Sequence, residues 1–213
     1  MFTGIIEGLG KVISLLPYEE GKKLILAVPF SEENLTIGQS IAINGVCLTL
    51  TSIVQRKGTF FLSHTTQEQT NLCHLRPGDL VNVERPLRFN QELSGHLLTG
   101  HVDTTTTIKA IKEREIQLQV PDEVRALLVP KGSVAIDGIS LTIAFMDEDS
   151  FGITIIPHTW ENTNLKKRQK GDQVNIEADI IAKYVNRLLH VRQISQDSKT
   201  RELTKEKLEL SGF

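Results

Sequence analysis

The chain is poor in residues that would staple it, anchor it in lipid or bind it to nucleic acid. Its two cysteines, Cys47 and Cys73, are too few for a disulfide framework, and the expectation is a reducing cytoplasm. No apolar run approaches the ~20 residues of a membrane helix, so no membrane contact is expected. Neither charge dominates: 24 Lys and Arg face 26 Asp and Glu, a formal net charge of −2. That leaves no basic field to hold nucleic acid. The opening run Met1-Phe2-Thr3-Gly4-Ile5-Ile6-Glu7 lacks the basic segment and apolar stretch of a secretory leader. Gly4 to Gly10 is glycine-rich, but no helical pattern follows it, which excludes a dinucleotide fingerprint. There is no phosphate-binding loop and no G-x-S-x-G elbow. No Cys-x-x-Cys or His-x-x-x-His occurs, so no metal site is expected.

What the chain does have is a second copy of itself. Shifted by 93 residues, the block from Ser40 to Thr49 falls on Ser133 to Thr142. The same shift lays Thr70-Asn71-Leu72 on Thr163-Asn164-Leu165, and Gly78 to Glu84 on Gly171 to Glu177. At the start the offset becomes 96, and Thr3-Gly4 falls on Thr99-Gly100. Ordered blocks at one near-constant offset mark a tandem duplication. The first unit is placed at residues 1–89 and the second at 90–184.

Each unit reads as short strands and turns. Val12 to Leu16, Lys23 to Val28, Phe60 to Ser63 and Leu80 to Glu84 are strand-like in the first; Ile153 to Ile156 and Gln173 to Glu177 are strand-like in the second. Asn44-Gly45 folds Ile41 to Val54 into a hairpin, and Asp137-Gly138 repeats it. Ser31 to Leu35 and Asp122 to Leu128 suit one or two helical turns. Many short strands in about 90 residues point to an all-β chain of two small closed barrels. Residues 179–190 differ: Ile180, Ile181, Tyr184, Val185, Leu188 and Leu189 recur at helical period. That helix lies outside both copies, to dock on its own barrel or on another subunit. Residues 191–213 read as a polar tail.

Strand alternation selects the candidate chemistry. In Cys47-Leu48-Thr49-Leu50-Thr51 the leucines share one face and the thiol and hydroxyls the other. Ser140 and Thr142 stand likewise opposite Leu141. With leucines filling the barrel, each copy presents a small nucleophilic group and a threonine outward. His96 and His101, five residues apart, are badly spaced for a shared metal, but either imidazole suits acid–base work near neutrality. The counterpart of His101 is Ile5, so the copies are unequal where the chemistry gathers. Lys131 stands where the first copy has Gly38, and Pro157-His158-Thr159-Trp160-Glu161 forms a candidate pocket edge.

These residues, together with Met1 to Glu7, Ser94 to Asp103 and Ile136 to Thr142, resemble the riboflavin synthase family over about residues 1 to 190. The resemblance implies two six-stranded Greek-key barrels, a homotrimer built by the C-terminal helix, and neither metal nor cofactor. It implies a transferase: two molecules of 6,7-dimethyl-8-ribityllumazine exchange a four-carbon unit, giving riboflavin and 5-amino-6-ribitylamino-2,4(1H,3H)-pyrimidinedione. A first seat is expected from Gly4, Ile5, Ile6, Cys47, Leu48, Thr49, Ser63, His64, Thr65, Thr66, Gln67 and Glu68. A second is expected from Gly100, His101, Val102, Lys131, Ser140, Leu141, Thr142, Ile156, Pro157, His158, Thr159, Trp160 and Glu161. Cys47, Ser140 and His101 are the implied acid–base or nucleophilic groups, supported by Phe2, His96, Asp137 and Asp179. The family leaves room for association with a lumazine synthase shell. The alternative reading is a non-catalytic lumazine- or flavin-binding protein of the same fold.

Overall fold

Alternation along the strands decides what is buried. In the strand Val46–Val54, Val46, Leu48 and Leu50 turn inward while Thr49 and Thr51 stay exposed. The strand Ile139–Met146 repeats this, with Ile139, Leu141 and Ile143 inside and Thr142 outside. The structure, a computed structural model, describes residues 1–191. Its first barrel holds β1 (Gly8–Tyr18), β2 (Gly21–Ala27), β3 (Ser40–Ile43), β4 (Val46–Val54), β5 (Lys57–Leu62) and β6 (Leu80–Glu84). Its second holds β7 (Thr104–Lys112), β8 (Glu115–Gln119), β9 (Ser133–Ile136), β10 (Ile139–Met146), β11 (Ser150–Thr154) and β12 (Gln173–Ala178).

Both sheets close in the order first-second-fifth-fourth-third-sixth. Three hairpin-linked strands followed by a sixth that returns beside the third make each a Greek key. All pairings are antiparallel, and β1–β6 and β7–β12 complete the closures. Bulges recur at matched places, Val12/Ser14 with Ile108/Ala110 and Leu50/Ser52 with Ile143/Phe145. They give the local bend that closing so few strands requires. Phe60, Leu24, Leu26 and Leu50 fill one barrel, and Phe151, Ile116, Leu118 and Ile143 fill the other.

The barrels meet tip to tip. Asn44 and Gly45 (φ 45° and 78°) and Asp137 and Gly138 (φ 46° and 78°) make matching two-residue turns. A Cβ on Gly45 would lie 2.7 Å from the Gly138 nitrogen, so only glycine allows the approach. Around this contact runs a polar network with local twofold symmetry. Asn82 and Asn175 donate through Nδ2 to the carbonyls of Asp137 (2.9 Å) and Asn44 (2.8 Å) in the opposite barrel. Asn82 Oδ1 accepts from the Asn164 amide at 2.8 Å, and Asn175 Oδ1 from the Asn71 amide at 2.7 Å. All five asparagines are buried and each makes hydrogen bonds, although Asn44 Nδ2 and Asn71 Oδ1 have no partner among the described residues. Residues 1–179 form one compact unit; a separate unit begins at residue 180, and its described part is a helix, α3, over residues 180–191.

Two elements differ from the sequence reading. Strand β5 stops at Leu62, because Ser63 caps a short helix, α1 (His64–Gln69), accepting from the Thr66 amide at 3.2 Å. β11 lies at Ser150–Thr154, and Ile156 precedes the matching helix α2 (Pro157–Asn162), which has proline in its first turn. The two foreseen helical turns are 3-10 turns at Glu32–Asn34 and Arg125–Leu127. Residues 192–213 of the expected tail lie outside the described residues.

Gly45→Ala is expected to lower stability by about 2–4 kcal/mol, combining left-handed strain with overpacking. Gly78→Ala shares a positive φ (99°) but meets nothing within 4 Å, and should lose only the strain. Urea midpoints of the two variants check this; equal losses would mean that the tips do not press together.

Candidate functional site

Two short segments, each laid across the barrel opposite its own, build the candidate site. Thr3 donates through its amide (2.6 Å) and hydroxyl (2.7 Å) to Glu84 Oε1, and the Gly4 amide donates to Oε2 at 3.0 Å. Thr99 and Gly100 bind Glu177 in the same way, at 2.8, 2.7 and 3.2 Å. Each carboxylate thus anchors a threonine-glycine corner to its own barrel. Burial, opposed by the bonds from Thr3 and Gly4 and assisted by the charge of Glu7, pushes the Glu84 pKa up. Glycine at φ 77° and 79° then turns each segment toward the other barrel. Gly4 C=O accepts from the Ser140 amide at 2.9 Å, and Gly100 C=O accepts from the Cys47 amide at 2.8 Å.

This exchange reverses part of the expected grouping. Ile6 packs on the core of the second barrel and Val102 on the core of the first. So Gly4, Ile5 and Ile6 join Ser140, Leu141 and Thr142, whereas Gly100, His101 and Val102 join Cys47, Leu48 and Thr49. The cause is the pair of antiparallel bonds between Phe2 and Leu98, 2.8 and 3.0 Å, which lays the segments side by side across the junction.

The two groups are chemically unequal. In the first, Cys47 is half-buried, and Thr49 and His101 are exposed; the His101 amide donates to Thr99 Oγ1 at 3.3 Å. In the second, Ser140 Oγ lies 2.7 Å from His96 Nδ1. His96 is only 8% exposed, and its Nε2 has no hydrogen-bond partner among the described residues. Burial pushes the imidazole pKa down, against the opposing charges of Asp179 and Glu177. Burial thus favours the neutral imidazole, and in the tautomer protonated at Nε2 its Nδ1 accepts from, and polarises, the Ser140 hydroxyl. Lys131 is exposed and stands at φ 67° where Gly38 stands at 89°.

α1 and α2 follow the fifth strand of each barrel. Ser63 Oγ lies 2.9 Å from Thr66 Oγ1, and Gln67 Nε2 reaches back to the Leu62 and Ser63 carbonyls. His64, Thr65 and Glu68 are exposed, as are Pro157, His158 and Glu161; Thr159 is half-buried. Ile156 is 63% exposed at the head of α2, a large apolar group left for a partner. A cleft of about 480 Å³ opens beside it, walled by Lys112, Arg114, Thr154 and Pro157. Trp160 packs half-buried on the second core.

Of the expected catalytic residues, Phe2 and Asp137 lie deepest, almost wholly out of solvent. Phe2 is 1% exposed, in a cluster with Ala42, Leu98 and Ala135 against which Cys47 packs. The Asp137 carboxylate is wholly buried in the junction network. Asp179 acts on His96 by charge. The sequence reading passed over Glu84 and Glu177, although both end a repeated block, Val-Asn-Val-Glu and Val-Asn-Ile-Glu. A carboxylate kept in both copies at a buried strand end was the available signal.

A model of the lumazine binding domain matches this chain twice, over residues 3–86 and 99–179. The riboflavin synthase of Bacillus subtilis (strain 168) is 38% identical over 219 residues, covering 100% of both chains. The chain belongs to the riboflavin synthase family. The Chlamydia pneumoniae riboflavin synthase is 41% identical over 184 residues (86% of this chain, 92% of the relative), and that of Actinobacillus pleuropneumoniae 35% over 195 (89% and 90%). Among solved structures, LumP complexed with riboflavin matches with a TM-score of 0.75 at 24% identity, covering 84% of this chain and 99% of that one. That likeness speaks to the fold alone, two closed barrels in tandem.

The neutral, buried His96 has a consequence for stability. Its folded pKa lies below its unfolded value, so the unfolded chain takes up the proton first as pH falls. Stability present above about pH 6.5 is lost below it, by at most about 1.4 kcal/mol per pH unit. Between pH 7.5 and 5.5 wild type should lose more stability than His96→Gln, measured by urea unfolding; parallel curves would show a solvated imidazole.

Proposed function

We infer that the chain catalyses the riboflavin synthase reaction, in which one 6,7-dimethyl-8-ribityllumazine gives its four-carbon unit to another. The observation that carries this is full-length likeness to riboflavin synthases on a duplicated frame whose two reactive groups differ. Both reactants are the same molecule, so two copies of one fold supply two seats. The products contain every atom of the two substrates, so neither oxidant nor reductant is consumed.

Cys47, Thr49, His101 and Val102 form one seat, with α1 behind; Ser140, Thr142, Ile5 and Ile6 form the other, with Lys131 and α2. Backbone groups beside Gly4 and Gly100 read the polar edge of the ring, while Ile5, Ile156 and Val102 cover its faces. The step that needs help is removal of a proton from the 7-methyl group of one lumazine. Ser140, with the neutral Nδ1 of His96 as proton acceptor, and His101 beside Cys47 are the groups placed for that transfer and for adding an oxygen or sulfur nucleophile to the other ring. Holding two rings in a fixed stack contributes further, up to ~7–11 kcal/mol in favourable systems. Phe2, Asp137 and Asp179 support from outside the seats.

The productive pair is taken to form between the first seat of one subunit and the second of the next, in a cytoplasmic homotrimer. What supports a trimer through α3 is its stripe: Ile181, Tyr184, Val185, Leu188 and Leu189 are each about half to two-thirds exposed in the single chain. Association with a lumazine synthase would deliver substrate directly and belongs to the same reading.

The test is to mix purified chain with the lumazine and count products. One riboflavin per two lumazines consumed supports the reaction; tight binding without turnover would make the chain a carrier. Cys47→Ser, Ser140→Ala and His101→Gln should each cut kcat at least about tenfold, ~1.4 kcal/mol of barrier, with smaller changes in riboflavin affinity. Val185→Asp with Leu189→Asp should leave folded barrels that bind ligand but sediment as monomers and lose turnover. A fully active monomer would contradict the shared site.

A further inference from the structure

At the edge of the barrel junction lie two clefts of about 360 and 390 Å³. Under the repeat they are images of one another: Asp79, Asp172, Leu75 and Arg168 wall both, and Asn164 in one becomes Asn71 in the other. The twofold symmetry breaks at His74/Lys167 and Leu80/Gln173 on the cleft walls, and at two further positions that touch one another. Leu75 of the first copy is Arg168 in the second, and Asn44 is Asp137. The two departures meet, because Arg168 Nη2 donates to Asp137 Oδ2.

Asp137 Oδ1 also accepts from the Asn175 amide (2.9 Å) and Asn71 Nδ2 (2.8 Å), and Oδ2 from Asn164 Nδ2 (2.9 Å). Donors from both barrels thus hold a carboxylate with no exposed surface. Arg168 leaves only 20% of its side chain exposed. Burial works against its charge, but Asp137 together with Asp172 and Asp79 outweighs this, so its pKa is raised. Asn44, uncharged, has no such counter-charge: its Oδ1 accepts from the Asn82 amide (2.8 Å) and Asn164 Nδ2 (3.1 Å), and Leu75 is the repeat counterpart of Arg168. A buried ion pair adds little net stability over neutral packing, yet removing one partner is costly. The copy that keeps the pair is the one whose turn leads, three residues on, to Ser140.

We propose that Arg168 is a positioning residue for Ser140: through Asp137 it fixes the Asp137-Gly138 turn, so that the start of β10 holds Ser140 against His96 and the ligand of the second seat. The part of this that concerns a ligand rests on the functional reading above. Arg168 touches no substrate; it sets where the strand begins.

Trp160, the single tryptophan, packs on the second barrel, so its quenching by riboflavin reads the second seat. Arg168→Leu, measured well below its melting temperature, should raise the riboflavin Kd in that titration and lower kcat, each at least about fivefold. A merely structural role would lower the melting temperature and leave the Kd of folded protein unmoved. Arg168→Lys should stay within about twofold of wild type. Arg168→Leu with Asp137→Asn, which copies the neutral first-barrel pair, should regain most of the loss. Wild-type titration and turnover in a folded Arg168→Leu would overturn the proposal. So would a double variant as impaired as the single, because Arg168 would then not act through Asp137. Should the single variant fail to fold, the double and lysine variants decide. A wild type that binds riboflavin but makes none would end the enzymatic reading, while the Trp160 titration would still judge Arg168.

Discussion

Asn82 and Asn175 each point an amide across the junction and hydrogen-bond a turn carbonyl in the opposite barrel, at 2.9 and 2.8 Å. Neither barrel could bury these groups alone without leaving donors and acceptors unpaired, at about 1–3 kcal/mol apiece. The partners must therefore come from the other copy, along a local twofold axis. Gly45 and Gly138 set how close the copies come, and the Thr3 and Thr99 corners, clamped by Glu84 and Glu177, set how each terminal segment crosses over. The placing of Cys47 and Ser140 follows, since each donates one backbone bond to the segment that begins the opposite copy.

Symmetry sustains the frame, and its breaking supplies the chemistry. Cys47 bonds through its amide to the segment that carries the exposed His101, whereas the hydroxyl of Ser140 meets the buried His96 directly. A reaction between two identical molecules needs this inequality, because one must lose what the other gains. The Asp137–Arg168 pair puts a buried ion pair into the junction network in the copy that carries serine.

Much of the fold was legible because duplication doubles the signal. The Asn-Gly and Asp-Gly turns, the leucines between polar residues in β4 and β10, and the helical stripe after residue 179 each follow from local periodicity. The short helices were not legible: Ser63 to Glu68 and Pro157 to Glu161 lack an apolar stripe, and a cap and a proline alone start them. The pairing of site segments was hidden for another reason. The Phe2–Leu98 contact and the crossing of Gly4 to Ser140 and of Gly100 to Cys47 join residues far apart in the chain, and no local pattern records which barrel a glycine corner faces. His96 and His101 could be named, but only burial separates the neutral base from the solvated imidazole.

The crossing itself can be observed directly. A crystal structure with riboflavin bound should show one molecule against Cys47, Thr49, His101 and Val102, and a second against Ser140, Thr142, Ile5 and Ile6. A flavin that touches Cys47 together with Ile5 and Ile6, or Ser140 together with His101 of the same chain, would contradict the exchange of segments on which both seats are built.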